Sequence, residues 1–153
     1  MTPTQREDYM SRQIRAIAAM LARIIGLRLE GQLEEAGSEL KRAYGLLLGP
    51  EGGSLRRVDA GTAATILGSP DKIVAFASLL SEEAAQESDA ARCGSLRRQA
   101  LALGIEAARR DRQNEAVAGF LVGLAPLVDR GEIAPADRLV LEEILKSRSG
   151  AAE

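Results

Sequence analysis

Leu33-Glu34-Glu35-Ala36-Gly37-Ser38-Glu39-Leu40-Lys41-Arg42-Ala43-Tyr44-Gly45-Leu46-Leu47-Leu48 is the stretch that decides the fold. Leu33, Ala36, Leu40, Ala43, Tyr44 and Leu47 recur at three- and four-residue spacing, which lines them along one face of an α-helix. Gly31-Gln32 before it reads as a turn, and Gly49-Pro50-Glu51-Gly52-Gly53 after it as a firm stop. A glycine inside a helix costs about 1 kcal/mol relative to alanine. Gly37 and Gly45 nevertheless stand in this helix, as do Gly104, Gly119 and Gly123 in later helical segments. With Ala36, Ala43, Ala107 and Ala116, they point to backbones that approach closely, as in stacked helical hairpins.

The same period runs outward in both directions. Upstream, Thr2-Pro3 offers a cap with proline in the first turn, and Thr4-x-x-Glu7 a capping box. Glu7 and Asp8 suit the positive end of the helix dipole. Met10, Ile14, Ile17, Leu21 and Ile24 then predict a first helix over residues 4–29. Downstream, residues 54–68 read as a short helix capped by Ser54 or Asp59 and weakened by Gly61 and Gly68. Ser69-Pro70-Asp71 opens a helix buried through Ile73, Phe76, Ala77, Leu80 and Ala84. Cys93, Leu96, Ala100, Leu103 and Ala107 mark the next helix, ending near Asp111; Ala116, Phe120, Leu124 and Leu127 mark another, bent or ended by Pro126. Arg130-Gly131-Glu132 reads as a cap, and Pro135 opens a last helix through Leu139, Leu141, Ile144 and Leu145. No segment alternates as a strand would. The expectation is an all-α fold of antiparallel helical hairpins, six or seven helices in one domain over residues 1–146, with 147–153 a flexible tail.

Composition narrows the chemistry. The 153 residues contain no histidine and one cysteine, Cys93, which removes imidazole catalysis, multi-thiolate zinc and an intrachain disulfide. Glu34-Glu35, Glu82-Glu83 and Glu142-Glu143 lack the histidines of a helical di-metal site and read as solvated faces. No phosphate loop or dinucleotide fingerprint is present, and Lys72 beside Asp71 is poorly placed to be a desolvated amine. No enzymatic activity, metal or cofactor is expected. Arg12, Arg15 and Arg23 interrupt the apolar stretch near the start, so a secretory signal and a membrane span are not expected, and the location expected is cytoplasmic.

Of the 20 basic residues only Lys41, Lys72 and Lys146 are lysine, leaving 17 arginines against 22 acids and a net charge of -2. The charges fall in alternating blocks, basic over 1–29 and 90–112, acidic at Glu30 to Glu39 and at Glu82 to Asp89. Such blocks suit helices lying side by side or meeting a second subunit.

Gly31, Ala36, Leu40 and Ala43 resemble the turn and second helix of the tetratricopeptide repeat, a helix-turn-helix unit of 34 residues. Leu103-Gly104, Asp111, Ala116, Phe120 and Gly123 resemble a second copy, 80 residues further on. Asp8-Tyr9-Met10-Ser11-Arg12-Gln13-Ile14 looks like the opening of a family of small bacterial helical proteins of the same type, with no assigned activity. The resemblance implies a groove lined by the inner face of each first helix. It places Leu21, Ile25 and Arg28 there from the first copy, and Arg98, Leu101, Ile105 and Arg109 from the second. Three arginines beside apolar positions suit an acidic, apolar peptide or a terminal carboxylate.

Three non-enzymatic readings follow. The leading one is a module holding a protein or peptide partner, provided residues 54–88 do not fill the groove. The second is a self-associating homodimer, because Ile25, Leu27 and Leu29 lie off the main stripe of a long first helix. The third is a nucleic-acid accessory protein using Arg92, Arg97, Arg98, Arg109, Arg110 and Arg112. It is disfavoured by the acidic balance and by the lack of aromatic residues among those arginines.

Overall fold

The computed structural model describes residues 2–151, which form eight α-helices, three short 3-10 turns and no strand. The helices are α1 (Pro3–Leu29), α2 (Leu33–Leu48), α3 (Gly52–Leu55), α4 (Ala60–Leu67), α5 (Pro70–Gln86), α6 (Ala90–Arg110), α7 (Glu115–Leu124) and α8 (Pro135–Ala151). The all-α expectation holds, and the count exceeds the six or seven expected. The glycine-rich stop after α2 coils into a 3-10 turn, Gly49–Glu51, and then into the single turn of α3. The last helix continues to Ala151, past Ser147, where the sequence implied a flexible tail; residues 152 and 153 lie outside the described residues.

Local chemistry sets the helix ends. Thr2 caps α1, with its hydroxyl accepting from the Gln5 amide at 3.2 Å while the Gln5 side chain accepts from the Thr2 amide at 2.9 Å. The capping box is therefore Thr2/Gln5 rather than Thr4/Glu7, because Pro3 already occupies the first helical position. Glu7 and Asp8 lie beyond the first turn as a result. At the other end of α1, Gly31 adopts φ 79°, where its amide donates to Arg28 O and that of Gln32 to Leu27 O. This left-handed C-terminal motif turns the chain into α2. Asp59, not Ser54, caps α4; the Thr62 hydroxyl and amide donate to its carboxylate and hold it below its usual pKa. Ser69 caps α5 with Pro70 first in the helix, and Asp89 and Asn114 cap α6 and α7.

Side-chain contacts fix the directions of the helices. Gln13 donates to Leu46 O at 2.7 Å and Arg23 reaches Glu39, so α1 and α2 are antiparallel. Arg148 pairs with Glu115, which joins the end of α8 to the start of α7. The three-residue link 87–89 and the extensive α5–α6 interface make those helices an antiparallel pair as well. Between hairpins the sense is parallel. Asn114 donates to Asp71 at 2.9 Å, start of α7 to start of α5, and Arg28 meets Glu82 near the ends of α1 and α5. Arg98 with Glu132 and Arg109 with Asp137 set α6 alongside α8 in the same direction.

Three hairpins, α1/α2, α5/α6 and α7/α8, are thus stacked, the first helix of each resting on both helices of the one before. Helix α5 is the centre. Ile73, Phe76, Ala77, Leu79, Leu80 and Ala84 are all buried, and α5 touches α1, α2, α4, α6 and α7. The inserted α4 packs on α6 and α5, burying Ala63, Ala64 and Leu67.

This pairing corrects the second hairpin expected from the sequence. α6 is the second helix of its own hairpin, and α7 is the first helix of the next. Ala116 is consequently exposed and Phe120 only half-buried; α7 buries Val117, Ala118 and Leu121 in their place, together with Leu124, which the spacing did assign to the core. Leu127, Leu33 and Leu139 also stand exposed. In the first hairpin Ala36, Leu40 and Ala43 are buried as the spacing requires. Of the five helical glycines singled out from the sequence, only Gly104 marks a close crossing. A Cβ there would lie 2.8 Å from Leu121 and 2.9 Å from Phe120, whereas at Gly45, Gly119 and Gly123 it would meet nothing within 4 Å.

Candidate functional site

The layer of first helices, α1, α5 and α7, carries two depressions. The larger, of about 570 Å³, lies between the amino-terminal half of α1 and the start of α5, with Met10, Ser11, Ile14 and Arg15 facing Ser69 and Asp71. The smaller, of about 250 Å³, lies between α5 and α7, lined by Ser81, Gly119, Phe120, Gly123 and Leu127. Asp71, Ser78, Ser81 and Ala85 form one accessible strip along α5, so both depressions open on the same side of that helix. Neither is lined by residues of α3 or α4. The smaller is floored by Ser81 of α5 and by Gly119 and Gly123 of α7, whereas the larger sets Met10 and Ile14 among Glu7, Ser11, Arg15, Ser69 and Asp71.

The seven residues expected to line a groove divide between the two layers. Leu21, half-buried, and Ile25, 38% exposed, continue the Ile14 side of α1 in the first-helix layer. Arg28, in the same helix, is turned inward to the buried carboxylate of Glu82, with Nε 2.5 Å from Oε1. Arg98, Leu101, Ile105 and Arg109 belong to the second-helix layer. There a separate depression of about 340 Å³ between α6 and the start of α8 has Leu101, Ile105 and Ile133 beneath it and Arg98, Glu132 and Asp137 around it. Leu101 and Ile105 are core residues.

The arginines meant for an acidic ligand are occupied. Arg98 holds Glu132 at 2.6 Å, and Arg109 holds Asp137 at 2.6 Å and Glu106 at 2.7 Å. Arg92, Arg110 and Arg112 likewise pair with Glu87, Glu106 and Glu143, so most of the basic block of α6 is neutralised within the chain. Arg6, Arg12 and Arg15 differ. Arg12 and Arg15 donate only to the carbonyls of Asp8 and Ser11 one turn back, and none of the three enters an ion pair among the described residues. All three are exposed on the first half of α1, and Arg15 lines the larger depression. The sequence signal for this region was the length of the first helix. Met10 and Ile14 read as core; Ile14 does pack against it, but α2 ends before it can cover Met10.

A third cluster surrounds the loop after α2. Arg56 lies over the Tyr44 ring, 5.1 Å from its centroid, and pairs with Glu83. The Tyr44 hydroxyl is buried without a hydrogen-bond partner among the described residues. Burial, and then the negative charge of Glu83, push the phenol far above its ordinary range. It stays neutral and is no use as a general base.

Compared with protein families, with curated proteins and with solved structures, the chain matches none. Among the described residues no three His, Cys, Asp or Glu are grouped to hold a metal ion, and no helix is long and apolar enough to cross a membrane.

Proposed function

We propose that the protein is a non-catalytic interaction module that seats apolar side chains of another polypeptide on the face formed by α1, α5 and α7. The observation that carries this reading is the pair of depressions on one side of α5, the smaller floored by Ser81, Gly119 and Gly123 with Leu127 exposed at its edge, the larger holding Met10 and Ile14. Parallel helices with small residues between them leave a shallow channel, and an extended segment can lay alternate side chains into such a channel. The resemblance to helical-repeat proteins, whose first helices line the binding groove, favours the same face. The second-helix layer, by contrast, is laced by the Arg98–Glu132, Arg109–Asp137 and Arg112–Glu143 pairs, which tie α6 and the residues after it to α8 and the turn before it.

The test is selection of peptides from a displayed random library, followed by affinity measurement on variants of the exposed face. Gly123→Arg and Leu127→Asp, both at exposed positions, are expected to weaken the selected peptides at least tenfold, a loss of about 1.4 kcal/mol. Leu139→Asp, at an exposed position on α8, is expected to leave them unchanged. Peptides that bind equally to all three variants would place the binding surface elsewhere.

A further inference from the structure

The first half of α1 is a helix with too little to lean on. α1 has 27 residues and α2 has 16, so α1 is longer by roughly 16 Å at 1.5 Å per residue. Gln13 already meets Leu46 near the end of α2, and residues 3–12 therefore project beyond it. On this projection Met10 is only half-buried above the 570 Å³ depression, as is Ile14 just behind it, and Tyr9 is 54% exposed.

The charges on this segment have an order. From Glu7 to Arg15, Glu7 and Asp8 come first and Arg12 and Arg15 follow, and none of the four is engaged in an ion pair among the described residues. Arg6 stands just outside the segment and off the face of Glu7. Glu7, Ser11 and Arg15 stand at successive turns of one face, all three lining the depression. A segment that is acidic at one end and basic at the other is complementary to itself when reversed. With Ser11 at the midpoint, an antiparallel copy sets Glu7 opposite Arg15 and Arg15 opposite Glu7, with Asp8 one step away beside the same guanidinium. Met10 and Ile14 of the two copies then share the apolar hollow, and the small Ser11 lets the axes come close. A parallel copy would set acid against acid.

We infer that the α1 segment from Glu7 to Arg15 is a two-fold contact, paired antiparallel with the same segment of a second copy of this chain. In such an isologous interface each residue contact occurs twice. The inference rests on the reading of the α1, α5 and α7 face as a contact surface, and names its occupant at the α1 end. The acidic groups that answer Arg12 and Arg15 are the second copy's own. The depression between α5 and α7 stays open, so a dimer offers it twice and can gain avidity for a divalent partner. About two and a half helical turns per copy cover less than the ~1,200–2,000 Å² of a standard interface, which makes this a weak dimer with a dissociation constant of roughly micromolar order.

Sedimentation velocity from 1 to 500 µM (about the range a weak dimer requires) tests it on wild type, Glu7→Arg, Arg15→Glu and the double reversal. The expected result is a concentration-dependent dimer, at least tenfold weaker in each single variant and restored in the double, because the pair is then merely exchanged. Circular dichroism of the same samples verifies that each variant is folded, as substitutions on the projecting segment should leave it. A wild type that stays monomeric throughout overturns the inference, and so does a dimer whose affinity ignores the single reversals or fails to return in the double. Gly123→Arg is expected to leave the dimer intact, so loss of peptide binding and loss of self-association are read separately.

Discussion

One methyl group at Gly104 tests the crossing of α6 and α7. Alanine in place of a helical glycine gains about 1 kcal/mol in backbone propensity. Against that, the new Cβ would stand 2.8 Å from Leu121 Cδ2 and 2.9 Å from Phe120 Cδ1 and Cε1, well inside ordinary contact distance. Leu121 is fully buried and has nowhere to go, whereas half-buried Phe120 can yield in part. Overpacking of this kind costs about 1–3 kcal/mol; the immobile leucine puts the site near the upper end, for a net loss of about 1–2 kcal/mol. Gly119→Ala gives the internal comparison, since its Cβ meets nothing within 4 Å and the propensity gain is uncompensated. The two variants should therefore differ by about 2–3 kcal/mol, or roughly 5–10 °C in Tm for a chain of this size. Urea titration followed by circular dichroism at 222 nm measures the difference. Equal stabilisation by both substitutions would show that α6 and α7 do not cross at Gly104.

Ala36→Leu, at a fully buried position on α2, is expected to lose about 1–3 kcal/mol by urea denaturation. Ala116→Leu, at an exposed position on α7, should stay within ~0.5 kcal/mol of wild type, and a large loss there would contradict the register of α7. Tyr44 governs an alkaline effect. Its folded pKa is raised above the ordinary value near 10, so its contribution is complete below about pH 10 and is lost as pH rises toward the folded value. The urea midpoint of wild type should fall from about pH 10 upward more steeply than that of Tyr44→Phe, and superimposable curves would refute the burial of the phenol.

The helices were legible because apolar side chains on most of them recur with a clear phase. α2 shows this best, its buried set Ala36, Leu40, Ala43 and Leu47 being set off by charged neighbours. α7 shows where the signal fails. From Ala116 to Leu124 every residue is apolar or glycine, so the sequence has a helical length but no phase, and the series through Ala116 and Phe120 fits as well as the one through Val117 and Leu121. The pairing of hairpins was illegible for a related reason. The ion pairs that fix α6 against α8 join residues 34 and 28 positions apart, and no local spacing announces them. Arg28 and Arg98 looked available for a ligand because their partners lie so far along the chain, whereas Arg109 has Glu106 one turn back as well as the distant Asp137. The projecting half of α1 was half visible: its charges could be read, but its exposure depends on where α2 stops.

The central place of α5 also governs how the molecule comes apart. In an open array of repeats each unit touches only its neighbours, and end units can fray while the middle persists. Here a single rod is shared by all three hairpins and by the inserted α4, so no hairpin can leave without baring part of it. The chain should melt in one concerted step, with the amides of α5 exchanging hydrogen only through whole-molecule opening.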